Sequence, residues 1–197
     1  MSAILTRFLV LIFIIVNSAE NTNHNFIIKK DFLSGVKSAE FSVYDEKEQQ
    51  VKYRIESRFL PKHNNKIIAY PSKKVIAKLT GQWSLLAYSA AISILDPQSN
   101  TWIDGNITDI GGLSAYEYII YWNGELVSIK NPSSSSYIKF YDKMEKIDLA
   151  RFRKHNALLK PSKYDLELLS DKYPDALYLL GLSVWDHDYS QFNRGKK

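Results

Sequence analysis

The chain has 197 residues, with 26 Lys and Arg against 21 Asp and Glu, four His and no cysteine, for a net charge of +5. Without cysteine it is neither a cystine-framework fold nor a thiolate enzyme or metal site, and it must hold itself together by packing. The basicity is mild and spread along the chain, unlike the one-sided Lys and Arg footprint of a nucleic-acid binder.

The first element in chain order is "MSAILTRFLVLIFIIVNSAENTNHN". It has one positive charge at Arg7, an unbroken apolar run from Phe8 to Val16, and then small and polar residues. That is the layout of a secretory signal peptide over residues 1–18. The nine apolar residues from Phe8 to Val16 would span about 14 Å as a helix, well short of the roughly 30 Å hydrocarbon core, which disfavours an uncleaved anchor. Cleavage is expected after Ser18, with Ala19 the second choice, and the mature protein is expected to be secreted. Removing Arg7 lowers the charge to +4 and leaves about 179 residues, enough for one domain with a substantial core.

Residues 19–37 show little patterning beyond "NFII" and are expected to form an N-terminal arm. Residues 38–190 are expected to form the folded domain, and 191–197 a basic tail. From Ser38 onward, "AEFSVYD", "VKYRIES", "KIIAYP", "KVIAKL", "WSLLAYSAAISILD", "TWIDGNIT", "YEYIIYW", "ELVSIK", "SYIKFYD" and "IDLARFR" are short runs rich in β-branched and aromatic residues, each bounded by turn chemistry. They read as successive antiparallel strands. In "YRIES" and "AEFSVYD" every second residue is apolar, so one face goes to a core and the other to water. In "YWNGEL", Asn123 and Gly124 suit the positive φ of a two-residue hairpin. "LDPQSNTW" is a second turn, and Asn131–Ser136 a longer polar loop.

Near the C-terminus, Ala176–Trp185, "ALYLLGLSVW", carries no charge. Pro174 suits the start of a helix, with Ser170 or Asp171 as candidate caps and Asp175 favourable at its positive end. A helix apolar on every face is buried on every side, and these ten positions span only about 15 Å, half a bilayer. No transmembrane segment is therefore expected in the mature chain, and the helix is expected inside the strands.

This order resembles the tubby C-terminal-like superfamily, within it the LURP-one-related proteins and phospholipid scramblases. The resemblance runs from about Phe41 to His187 through "YRIES", "IAYPSKKVIAKL", "AAISILDPQSNTWIDGNI", "YIIYWNGELVSI", "LARFRK" and "KYDLELLSDKYPDALYLLGLSVWDH". It implies a closed antiparallel β-barrel of about twelve strands around the C-terminal helix. For function it implies lipid or protein binding, because tubby-like members bind phosphoinositide headgroups and scramblases are associated with calcium and lipids. No basic motif of the phosphoinositide site matches residue by residue. Asp165, Glu167, Asp171 and Asp175 are interrupted by Lys172 and apolar positions and do not reproduce a calcium loop. A signal peptide also departs from the cytosolic habit of tubby-like and LURP-one-related proteins.

The residues offer little chemistry of their own. His24, His63, His155 and His187 lack zinc-ligand spacing. "WDHDY" sets Asp186, His187 and Asp188 just beyond the apolar run, as either a metal or acid–base cluster or a polar plug at the barrel mouth in which the carboxylates bond His187. The plug is preferred. Asp104 and Asp109 flank "GNITDIG" and read as turn residues rather than a catalytic carboxylate pair. The tryptophans Trp83, Trp102, Trp122 and Trp185 read as core and rim packing. Asn106 opens the sequon "NIT" and is the one glycosylation candidate, since Pro132 excludes Asn131. The expectation is a non-enzymatic secreted binding protein for a protein or lipid ligand, with no cofactor and no nucleic acid. The alternative is a scramblase-like or lipid-transferring membrane-associated protein.

Overall fold

A computed structural model describes residues 24–31, 39–57, 63–83, 88–111, 117–131, 137–155 and 162–194, with main chain only for 82–83 and 189–194. The expected signal peptide, its cleavage points Ser18 and Ala19, and Gly195–Lys197 lie outside the described residues.

Twelve strands form the wall. They are β1 (Asn25–Lys30), β2 (Phe41–Asp45), β3 (Val51–Ser57), β4 (His63–Ala69), β5 (Lys74–Trp83) and β6 (Tyr88–Leu95), then β7 (Trp102–Asp109), β8 (Glu117–Trp122), β9 (Glu125–Lys130), β10 (Tyr137–Asp142), β11 (Asp148–His155) and β12 (Lys163–Leu168). Each pairs antiparallel with its neighbour in sequence, and β1 pairs with both β2 and β12, so the sheet closes on itself with no free edge. The stretch expected as an arm therefore contains a strand, and its role follows from geometry. In an up-and-down barrel, strand direction alternates, so only an even number of strands closes with an antiparallel pair. β1 supplies that partner to β12 through Phe26↔Leu166 and Ile28↔Tyr164. "NFIIKK" is hard to read as a strand from sequence because it ends in two lysines and its inward set is only Phe26, Ile28 and Lys30.

The run "WSLLAYSAAISILD" is divided between two strands, the end of β5 and all of β6. The hairpin at Asn123–Gly124 is as expected, with φ of 50° and 78°. Gly105, between the expected turn residues Asp104 and Asp109, does not mark a turn, and all three belong to one strand, β7. A Cβ at Gly105 would collide with the carbonyl oxygen of Tyr121. Glycine here lets β8 approach closely, one of the meanings of glycine inside a strand.

A single helix, α1 (Asp175–Arg194), follows β12. Every residue from Ala176 to Asp186 is buried. Its contacts run round the wall: Tyr178 packs edge-on to Phe140 of β10, Gly181 faces Phe140 and Ile129 of β9, and Asp186 bonds Tyr164 of β12. The expected buried helix is thus present inside the barrel, and it is twice as long as expected at 20 residues. It carries the "WDHDY" segment within it and continues through the first positions of the expected tail. Neither Ser170 nor Asp171 caps it. Ser170 Oγ instead accepts from the Lys172 amide one turn earlier, and the Pro174 carbonyl takes the first helical bond, from Leu177.

Candidate functional site

Two polar clusters bracket the apolar length of α1. The first, at its entry, is built by the β10–β11 turn. Asp142 is fully buried and accepts from the amides of Met144 and Glu145 at 2.8 and 2.9 Å, from Lys172 Nζ at 2.8 Å and from the Tyr173 hydroxyl at 3.2 Å. Burial opposes its charge, but Lys172 and the two amides outweigh burial and hold its pKa at about 2. Lys172 also reaches Glu145 at 2.6 Å and Glu125 at 3.6 Å, and its pKa is raised by Asp142 and Glu145. This cluster fastens the β12–α1 connection to the wall. Beside it, Asp175 accepts from the Tyr53 hydroxyl at 2.8 Å, and burial raises the Asp175 pKa. A cleft of about 510 Å³ opens at this end, its walls including Tyr53, Ile76, Leu95, Gln98, Trp122 and Tyr173.

The second cluster is the expected Asp186–His187–Asp188 site. Consecutive helical residues diverge by about 100°, so three in a row address three sectors of a surrounding wall. Asp186 points to the β1–β12 seam, where it accepts from Lys30 Nζ at 2.6 Å and the Tyr164 hydroxyl at 2.5 Å. His187 stacks on His63 of β4, centroids 4.1 Å apart and planes 14° from parallel. Asp188 accepts a short hydrogen bond from Tyr118 of β8. These sectors lie roughly a third of the circumference apart. The segment forms a polar layer across the barrel within the helix rather than a cap at its end, and the described bonds of its carboxylates go to the wall rather than to His187.

The histidine pair is the part that sequence reasoning missed. The Asn65 amide lies 2.9 Å from His63 Nε2 and the Tyr88 hydroxyl 2.7 Å from Nδ1. With Asn65 donating to Nε2, the neutral ring carries its proton on Nδ1 and donates it to Tyr88. A second proton would point at the Asn65 amide hydrogens. Burial first, and then neighbouring His187, lower the His63 pKa to about 3. Burial likewise raises Asp188, against the Tyr118 hydrogen bond, and raises Tyr88 and Tyr118. On the same layer, Lys154 lies about 6 Å from the Tyr164 and Trp185 rings, and its pKa is lowered by burial and by Lys30, against the pull of Asp186.

An unfolded histidine takes up its proton near pH 6.5, whereas His63 does so only near 3. Between those values the unfolded chain binds more protons, so stability is full above about pH 6.5 and falls as pH drops, by up to about 1.4 kcal/mol per unit. Urea midpoints measured from pH 7 to 5 should show this fall, and His63→Gln should flatten it. Equal slopes in the two proteins would contradict the assignment.

The remaining candidates are dispersed. Asp104 is exposed on β7, while Asp109 accepts from the Gly111 amide at 2.9 Å. His155 lies 2.5 Å from Asp165 on the outer wall. Trp122 and Trp185 are core, Trp102 is exposed beneath Lys78, and the Trp83 ring lies outside the described residues. Among the described residues no group of three or more His, Asp or Glu is placed to hold a metal, and no helix is long and apolar enough to cross a membrane. The outward rows of β10–β12 and β1 carry Lys139, Arg151, Arg153, Asp165, Glu167 and Lys29, where a membrane-spanning barrel would present apolar side chains to lipid. No family model matches the chain, and neither a curated protein nor a solved structure matches it.

Proposed function

We propose that this chain is a secreted, non-enzymatic binding protein of LURP-one-related, tubby C-terminal-like type, with a protein or lipid ligand. The observation that carries the reading is the filled interior: from Ala176 to Asp186 no side chain of the helix is more than 3% exposed. Along that length the helix fills the space a ligand or a lipid path would need, so recognition falls to the barrel's ends and outer wall. The carboxylates of Asp142, Asp186 and Asp188 are engaged in fastening the helix and its lead-in to the wall. The cleft of about 510 Å³ at the entry of α1, lined by the aromatic Tyr53, Trp122 and Tyr173 and by Asp96, Asp171 and Asp175, is the surface we assign to recognition.

The test is to purify the chain from the medium of secreting cells and identify what co-purifies by mass spectrometry. A stoichiometric protein or lipid is expected, and it should be lost in Gln98→Trp, which places bulk at the exposed lip of the cleft without touching the core. Carbonate-resistant retention on membranes, with no freely soluble pool, would favour the scramblase-like alternative and sink this reading.

A further inference from the structure

The sequon at Asn106–Thr108 lies on β7, with Asn106 exposed on the outer wall. Its cross-strand partners are Ala91 of β6 and Tyr121 of β8, and Ala91 in turn faces Thr80 of β5. Ser93 and Ser89 lie diagonally across β6, opposite Asp104 and Thr108. Beside Asn106 the outward side chains are small, Thr80, Ala91, Ser89 and Ser93, around the Tyr121 ring, with the charged Asp104 and Lys78 at the margin. Tyr121 is 48% exposed, an unusual placement for a large ring in the middle of a sheet. The opposite wall is built differently, with outward ion pairs such as Lys139–Asp148 at 3.0 Å and Lys163–Glu48 at 3.1 Å.

We propose that Asn106 carries an N-linked glycan and that its first sugar lies across this platform, with one face on the Tyr121 ring. The register supplies the reach, because side chains directly opposite on neighbouring strands have Cβ atoms about 4.5–5.5 Å apart. A sugar on Asn106 Nδ2 is therefore delivered beside the Tyr121 ring, while the small side chains of β5 and β6 leave space on the other flank. Sugar C–H groups shield the exposed ring from water, and the sugar hydroxyls stay solvated. The backbone of Asn106 belongs to the β6–β7–β8 ladder, so the glycan is attached while the chain is still extended, before the barrel closes. The glycan would then occupy the outer face of β5–β8 and leave the charged wall and the α1-entry cleft open to a partner.

This inference rests on the secretory reading, and its test separates the two. The full chain is expressed in a eukaryotic secretory host with its own residues 1–18 and, in parallel, with a proven leader in their place. With the proven leader, intact mass is expected to show one glycan that peptide-N-glycosidase removes and that both Asn106→Gln and Thr108→Ala abolish. An unmodified secreted chain would overturn the site. Failure of export with the native leader alone would overturn the secretory reading while the second arm still decides the site. The contact with Tyr121 is read separately. Removing the glycan should lower Tm by about 2–4 °C, the shift for roughly one ordinary contact in a domain of this size. In Tyr121→Ala the glycosylated and deglycosylated proteins should melt together, and an undiminished difference would overturn the stacking.

Discussion

Gly181→Leu is expected to abolish folding, although glycine is among the poorest helix formers and leucine among the best. On propensity alone the change would favour the helix by roughly 1 kcal/mol. Packing decides otherwise. A Cβ at Gly181 would stand 2.6 and 2.7 Å from Phe140 Cε1 and Cζ and 2.8 Å from Ile129 Cδ1, all closer than real contacts allow. Phe140 cannot step aside, since its ring is wedged against Phe152 at 5.4 Å and Tyr178 at 5.3 Å. A closed barrel also lacks an open side toward which α1 could shift. Gly181→Ala should already lower Tm despite its better propensity, because overpacking costs typically about 1–3 kcal/mol. Leu180→Asp should fail as completely as the leucine variant, since it sets an unpaired carboxylate at a position with no exposure. Leu180→Met, which conserves volume, should cost less than about 1.5 kcal/mol and serves as the control. Thermal melts and the yield of folded protein read all four. Normal melting of Gly181→Leu would mean that α1 is not enclosed.

How much of this was legible in the sequence depends on the range of the interaction involved. The hairpin at Asn123–Gly124 was legible because its chemistry is local, two residues able to take positive φ between two alternating runs. The buried helix was legible because "ALYLLGLSVW" offers no face to water. Its true end was not, because Asp186, His187 and Asp188 look like a stop until the wall supplies Lys30, Tyr164, His63 and Tyr118 as partners. Those partners come from strands scattered over the whole chain, and no spacing within one segment encodes them. The same holds for β1, whose strand character comes from closing the barrel against β12 and not from its own pattern. Gly105 misleads for the opposite reason. Local rules associate glycine with turns, whereas here a neighbouring backbone takes the space that a side chain would fill.

Lys30→Met should destabilise the protein by about 3 kcal/mol, the lower end of what breaking a buried ion pair costs. Asp186 is completely buried, and its Oδ2 lies 2.6 Å from Lys30 Nζ while Oδ1 accepts from Tyr164. Without Lys30 the carboxylate keeps one strong hydrogen bond and loses its nearest countercharge, in a layer where water has little access. The loss is softened by Lys154, which also faces Asp186 and whose pKa is held down in part by Lys30 itself. Removing Lys30 lifts that repulsion and lets Lys154 become the main countercharge, so Lys30→Met/Lys154→Met should cost more than the two single changes together. The decisive comparison is Lys30→Met/Asp186→Asn. The amide keeps the shape of the carboxylate and can still accept from Tyr164, but it needs no countercharge, so this double variant should be more stable than Lys30→Met alone. Urea unfolding of the wild type, both single variants and this double variant at neutral pH gives the coupling directly. If Lys30→Met unfolds at the wild-type midpoint, or Asp186→Asn fails to rescue it, the polar layer does not hold the far half of α1 in place through this pair.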